Sequence, residues 1–391
     1  MKKLLALCTL NLIFLSSMAG AESIMKPFND QGYGTISGRV QYLGMYRDYD
    51  NGNNGNASTM GIVLNYTTPE VAGFDAGVGY NYAGELFNGD NSSLNANGNI
   101  NVFNEGWLRY NFGALGYSNT TVLAGRKINN GEIFRADDFR QKSRSIETVQ
   151  FQTQDLTDTK LTVGHALRMS SWIQVRDLAD FNEFNEVFGT DSSSAGVTWG
   201  ELVNNCVEGL EIALFDAYAW DVANLIGTRV KWDVLEDSAI LGYYRHENDV
   251  GDASTRNSEA FGLSLQQKIG RVTLEPGYFG VRGSNLRFQE ATTGINHALG
   301  SLMMIYAGQF NGGTDTAYLK AVTKLEKTDT TLYGLYTYTW NKSSDEAQEL
   351  NLVVKQPVAK NLTVCFKGGV GYREEQNTTA TDARLFATYT F

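Results

Sequence analysis

From Ala383 to Phe391 the chain alternates at period two. Ala383, Leu385, Ala387, Tyr389 and Phe391 share one face, and Arg384, Phe386, Thr388 and Thr390 share the other. Period two is the geometry of a strand. A strand that is apolar on one side, mostly polar on the other and closed by an aromatic is what a membrane β-barrel requires. Nothing follows Phe391 in the sequence, so this strand is expected to close onto the first one. The opposite end agrees. Lys2 and Lys3 precede an apolar stretch from Leu4 to Met18, and Ala19-Gly20-Ala21 has the small-residue pattern of a cleavage site. Residues 1–21 therefore read as a cleaved export signal, too short for a membrane-spanning helix, and residues 22–391 as one barrel.

Composition fits that class. Mean hydropathy is −0.28, with 41 Gly, only 4 Pro and 20 each of Tyr and Phe. A barrel averages to neutral hydropathy because each strand alternates faces. Beyond the signal no apolar run approaches the ~18 residues of a spanning helix. Net charge is −11, and loss of the two signal lysines takes it to −13, which argues against a nucleic-acid partner. Cys206 falls in a turn and Cys365 inside a distant strand, so a disulfide between them is disfavoured by geometry.

Alternating segments can be walked along the chain: 34–47, 60–67, 74–82, 102–112, 117–126, 148–154, 161–172, 195–202, 209–220, 225–234, 239–247, 258–268, 272–281, 316–325, 331–340, 350–355, 362–373 and 382–391. They total eighteen, joined by alternately long and short connections, as expected of external loops and periplasmic turns. Within 209–220, Asp216 falls on the apolar face, and a bulge there would turn it inward. Leu299–Phe310 is a nineteenth candidate, but a closed barrel with both ends in the periplasm needs an even number. It is assigned to a long seventh loop, about Arg282 to Asp315, folded against the barrel. If it pairs instead, 195–202 is the weakest candidate to drop. The fold class is thus an all-β transmembrane antiparallel barrel of 18 strands, with loops three and seven turned inward; a soluble sandwich or propeller would not explain the signal and the terminal aromatic together.

A barrel of this width is not filled by its own side chains. Its inward positions carry Arg39, Arg109, Arg126, Arg168, Arg229, Lys231, Arg245, Lys320, Lys324, Lys355, Lys367, Arg373 and Arg384, against fewer acids, mainly Asp75, Glu85, Glu105, Asp233, Glu247 and Glu275. Charges in strands must point inward, but that does not explain their sign, and lumen cations relay anions through a narrow pore. Loop three, Lys127 to Ile146, adds Arg135, Arg140, Lys142 and Arg144 beside Asp137 and Asp138. Folded inward, it would set the diameter and field of the constriction; lying on the surface, it would bind lipopolysaccharide or cancel locally. Guanidinium suits bidentate carboxylate contacts, so small carboxylate-bearing anions are the expected solutes.

Val122-Leu123-Ala124-Gly125-Arg126, Ala136-Asp137-Asp138-Phe139-Arg140, Thr148-Val149-Gln150-Phe151 and Leu161-Thr162-Val163-Gly164-His165 together resemble the OprD-like family of specific porins. The resemblance implies a monomeric eighteen-stranded outer-membrane barrel, narrowed by its third and seventh loops and lined by a ladder of basic residues that passes carboxylates. Carried over by position, that ladder begins with Arg126 and Arg140, then Arg39 and Arg168. The chain lacks the family's proline in loop three and reads Val149-Gln150-Phe151-Gln152 where the family has Phe-x-Gly.

Other readings stay open: a general sixteen-stranded porin, a sugar-selective porin if tyrosines such as Tyr80, Tyr336 and Tyr338 face inward, or a non-conducting adhesin. Aromatics near strand ends fit an interfacial girdle better. An enzyme is not expected: His165 and His246 fall on the outward face, His297 falls in loop seven, and no Gly-x-Ser-x-Gly occurs. Asp48, Asp50, Asn51 and Asn53 lack the closing Glu of a calcium loop, and no cofactor is expected. The remaining partners are outer-membrane lipid and the barrel-assembly machinery, the latter through the strand ending at Phe391.

Overall fold

The computed structural model describes residues 29, 31–49, 54–87, 100–136, 140–171, 181–191, 193–251, 255–288, 311–341, 346–374 and 377–391. Eighteen antiparallel strands form the wall. They are β1 Thr35–Tyr49, β2 Gly55–Thr67, β3 Phe74–Phe87, β4 Ile100–Asn111, β5 Thr120–Lys127, β6 Ile146–Leu156, β7 Thr159–Met169, β8 Val197–Val207 and β9 Leu210–Ala219. The second half is β10 Ala223–Leu235, β11 Ser238–Asp249, β12 Asn257–Ile269, β13 Val272–Gly283, β14 Thr314–Leu325, β15 Thr330–Asn341, β16 Glu346–Ala359, β17 Leu362–Arg373 and β18 Thr378–Thr390. Each strand pairs with its neighbours in sequence, and β18 pairs with β1 from Arg39↔Thr390 to Tyr49↔Ala380, which closes the barrel. A strand of only two residues, Asn182–Glu183, extends the edge beside the end of β7 and leads into a short helix, α1 Phe184–Phe188.

The pleat decides which side chains meet lipid. Exposed large apolar residues, among them Leu64, Tyr82, Leu108, Val149, Leu214, Leu263, Leu319, Tyr336 and Leu350, fall into one outward set when cross-strand partners are followed around the wall. A continuous apolar belt of that extent has no place on a water-soluble monomer and is the lipid face of a membrane barrel. His165 and His246 lie in the same outward set. Hairpin turns are tight, and left-handed backbone at Asp158, Gly209 and Asn361 (φ 50, 74 and 67°) reverses the chain.

Bulges adjust this pattern, though not where the alternation calls for one. A register shift between Gly79 and Tyr80 leaves both Asn104 and Glu105 of β4 buried on the inner side. In β9 the shift lies at Leu210/Ile212, so Asp216 stays on the outward face, opposite Gly200 and Ile226. The weakest strand candidate, 195–202, is a full member of the wall as β8. Eighteen strands already satisfy the parity argument; Leu299–Phe310 itself lies outside the described residues. Cys206 and Cys365 are free thiols on β8 and β17.

Candidate functional site

The site is built where loop three crosses the barrel interior. Leaving β5, the loop makes a tight reversal, Gly131 N donating to Phe134 O at 2.7 Å. Ile133 N donates to the Glu201 carboxylate of β8 at 2.9 Å, and Glu132 accepts from Arg229 of β10 at 3.0 Å. Phe134 lies edge-on to Trp199 at 5.0 Å and 6.0 Å from Phe184 of α1. Phe188 of the same helix meets Phe288, beyond β13, at 5.0 Å. The loop then reaches the far wall: Gln41 of β1 donates to Arg140 O at 2.9 Å, and Gln141 donates to Thr59 Oγ1 of β2 at 2.7 Å. Loop three therefore bridges two sides of the lumen. Phe134, Phe184, Phe188, Trp199, Phe215 and Phe288 form one buried apolar cluster that glues loops to the β8–β11 side.

The predicted cations fall into four groups. On the β8–β15 side they are neutralised. Arg229 is held between Glu132 and Glu211 (3.0 and 2.7 Å), Lys231 lies 3.1 Å from Asp233, and Lys320 and Arg245 pair with Glu275 and Glu247. Arg109 is likewise paired, its Nε 2.9 Å from Asp75.

On the β16–β1 side, Lys367 and Arg384 are direct cross-strand partners facing the lumen. Arg384 and Arg47 share Asp382, at 2.9 and 2.8 Å, and Lys367 lies 5.1 Å over the Phe386 ring. Lys355, Arg373 and Arg39 occupy inward positions on the same arc. Two guanidinium groups thus meet one carboxylate.

Loop three supplies a third group. Arg135 lines a cavity of about 580 Å³ with Glu132, Lys160, Glu201, Glu211 and Arg229. Its Nη1 is buried without a hydrogen-bond partner among the described residues. Arg140 and Arg144 are buried between loop and wall. Lys142 is wholly enclosed, with Nζ 3.1 Å from Ser170 Oγ and also bonded to the Ser171 carbonyl. It clamps loop three to the base of loop four rather than lining a pathway. Asp137 and Asp138 lie outside the described residues.

The fourth group departs from the expected placement. Arg126 pairs in register with Glu147, and Glu147 with Arg168. Glu147 shares its face with Val149 and Phe151, so all three charges stand on the outward face, at the strand ends that carry loops three and four. Counting alternation from Val122 and Ala124 already puts Arg126 outside.

Comparison with known proteins adds the fold. No family model matches the sequence, and no curated protein matches it. Solved structures do. The Acinetobacter baumannii OccAB4 structure superposes with a TM-score of 0.74 at 16% identity, covering 91% of this chain and 97% of that one. Pseudomonas aeruginosa OpdK, solved with vanillate, gives 0.72 at 14% identity, covering 91% and 98%. A BenF-like porin from Pseudomonas fluorescens Pf-5 gives 0.74 at 15% identity, covering 91% and 98%. The fold is that of the OprD-type outer-membrane porins. The chain shares that fold, a closed multi-pass barrel with its apolar belt turned outward.

Several residues of this barrel interior carry little signal in the sequence. Asp382 lies on the inward face two positions before Arg384, at the first residue of the terminal segment. Glu349 stands in a like position near the start of β16. Glu201 and Glu132 became visible only once loop three met β8, since no period marks a loop contact. Among the described residues, no group of three His, Cys, Asp or Glu side chains is placed to hold a metal.

Proposed function

We propose that this outer-membrane channel passes small anionic, carboxylate-bearing solutes by diffusion, with selectivity set on the β16–β1 arc and at Arg135. The observation that carries the reading is the Lys367–Arg384 pair. Like charges directly opposite across two strands repel, and with Arg47 and Arg384 sharing Asp382 the arc carries more cations than acids among the described residues. A passing anion would offset that repulsion, and a guanidinium offers it a bidentate contact. Arg135, with a buried Nη1 lacking a partner among the described residues, gives a second such contact in the 580 Å³ cavity under the loop.

The test is the reversal potential of single channels in a planar bilayer under a salt gradient. Anion preference is expected in the wild type, weakened in the double variant Lys367→Gln, Arg384→Gln. Cation preference in the wild type would sink the reading. A companion measurement compares liposome uptake of a monocarboxylate with that of a neutral sugar for Arg135→Ala. Loss confined to the carboxylate supports recognition, whereas equal loss means that the loop acts by size alone.

A further inference from the structure

The outward cluster at the ends of β5, β6 and β7 has no role in a lumen pathway. Arg126 is the penultimate residue of β5, Glu147 the second of β6 and Arg168 the penultimate of β7. Glu147 Oε1 takes Arg126 Nε at 2.8 Å, and its Oε2 takes Arg168 Nε at 2.8 Å. Two guanidinium groups share one carboxylate, a net positive charge among the described residues of the cluster. Other described ion pairs near this end of the lipid face are one to one: Arg282 with Asp315 and His246 with Glu259.

Arg126 is held in place from several sides. Its guanidinium lies 4.2 Å over the Phe181 ring, and its Nη1 lies 3.3 Å from the Phe103 carbonyl. Arg168 leans outward, its side chain 47% exposed. Beneath them runs a groove of about 570 Å³ with walls of Val78, Phe103, Val149 and Leu167. Pairing of β4 with β5 stops at Gly106↔Arg126, although β4 runs on to Ile100, and this opens the groove. Gly106 belongs to its lining, and a Cβ added there would meet no atom within 4 Å.

Depth identifies the occupant. A lipid-facing Arg costs roughly 2–4 kcal/mol at the bilayer midplane but only about 0–1 near an interface. Strand ends that carry the long loops sit at the outer leaflet, so the two guanidinium groups stand at headgroup level with an apolar groove leading away toward the hydrocarbon. We propose that this groove binds an outer-leaflet lipid of the lipid A class: a phosphate against Arg168 and Arg126, and an acyl chain along Val78, Phe103, Val149 and Leu167. Phosphate accepts paired N–H bonds from guanidinium with the geometry of a carboxylate. The inference uses only the barrel's orientation, so its failure leaves the solute pathway untouched.

The full-length chain, folded in detergent, is examined by native mass spectrometry with diphosphoryl lipid A as the probe and phosphatidylcholine as the phosphodiester control. One retained diphosphoryl lipid A is expected. Arg168→Gln should weaken retention about tenfold, in the range of losing one charge-assisted contact. Gly106→Leu puts a branched side chain into the groove from a position where a Cβ meets no atom within 4 Å and should weaken it comparably, while Arg282→Gln, at a balanced pair, should not. Heat-modified gel migration verifies that each variant is folded. Retention that ignores both Arg168→Gln and Gly106→Leu, or that is equal for phosphatidylcholine, overturns the proposal.

Discussion

Two arcs of the same wall treat charge in opposite ways. Along β8–β11, Arg229, Lys231 and Arg245 each have a carboxylate close by, and above them an apolar cluster of Phe134, Phe184, Trp199 and Phe288 fixes the loops to the wall. Along β16–β1, Lys367 and Arg384 face each other, Arg47 joins Arg384 at Asp382, and Lys355 and Arg39 lie within the same span. The first arc is organised as a protein interior is, with charges compensated and rings packed. Among the described residues the second holds more cations than acids. On the proposed reading, the contrast separates the part of the lumen that holds loop three in place from the part that meets the solute.

The comparison can be broken most severely at the apolar cluster. Trp199→Ala should cost about 3–5 kcal/mol of loop docking, because Trp199 is buried and carries Phe134 edge-on. Single-channel recordings should then show a larger and noisier conductance; an unchanged conductance would mean that loop three is held by its polar contacts alone. Next comes Lys142→Met, which removes the ammonium from Ser170 Oγ and the Ser171 carbonyl at a cost of about 1–3 kcal/mol. It should increase gating noise while leaving ion selectivity where it was. A shift in selectivity would instead put Lys142 on the pathway.

On the other arc, replacing Lys367 and Arg384 by Gln relieves the like-charge opposition but leaves the buried Asp382 to Arg47, and it should move the reversal potential toward that of a non-selective pore. Thermal unfolding and bilayer recording on one preparation separate the two effects. The smallest effect is expected from Glu132→Gln. Arg229 keeps Glu211 at 2.7 Å, so its charge stays compensated. The variant should become slightly more anion-selective as one acid leaves the compensated arc, and a shift toward cations would contradict the division into two arcs.

The wall was legible in the sequence because a strand declares its faces at every second residue. Even the seam, the short turns and the inward position of Arg384 follow from that period. Legibility failed where an element has no period or where the period is locally offset. Asp216 invited a bulge, since a carboxylate on a lipid face is costly, yet the register keeps it there between Gly200 and Ile226. Arg126 and Arg168 were drawn inward by their charge, although strand ends at an interface tolerate outward cations. Lys142 looked like a pore cation, and only the meeting of loop three with Ser170 and Ser171 turns it into a clamp. Pairing of cation with acid is a property of rows that run across strands, and no window along the chain displays it.

The seam between β1 and β18 bears on how the protein comes to exist. Arg39 pairs with Thr390 and Gly38 exchanges backbone hydrogen bonds with Phe391, so the two ends of the wall meet. Until that contact forms, β1 presents an unpaired edge for the whole time the other strands are being laid down. Such edges invite pairing with another chain, and contacts so far apart in sequence form slowly. A partly assembled wall is therefore a hazard rather than a resting place, and the terminal strand acts as the latch whose arrival ends it. Variants at Tyr42, Ala387 or Tyr389, which pack together along this seam, should show themselves first as slower closure and lower yield of the heat-resistant form, before any change in the finished channel.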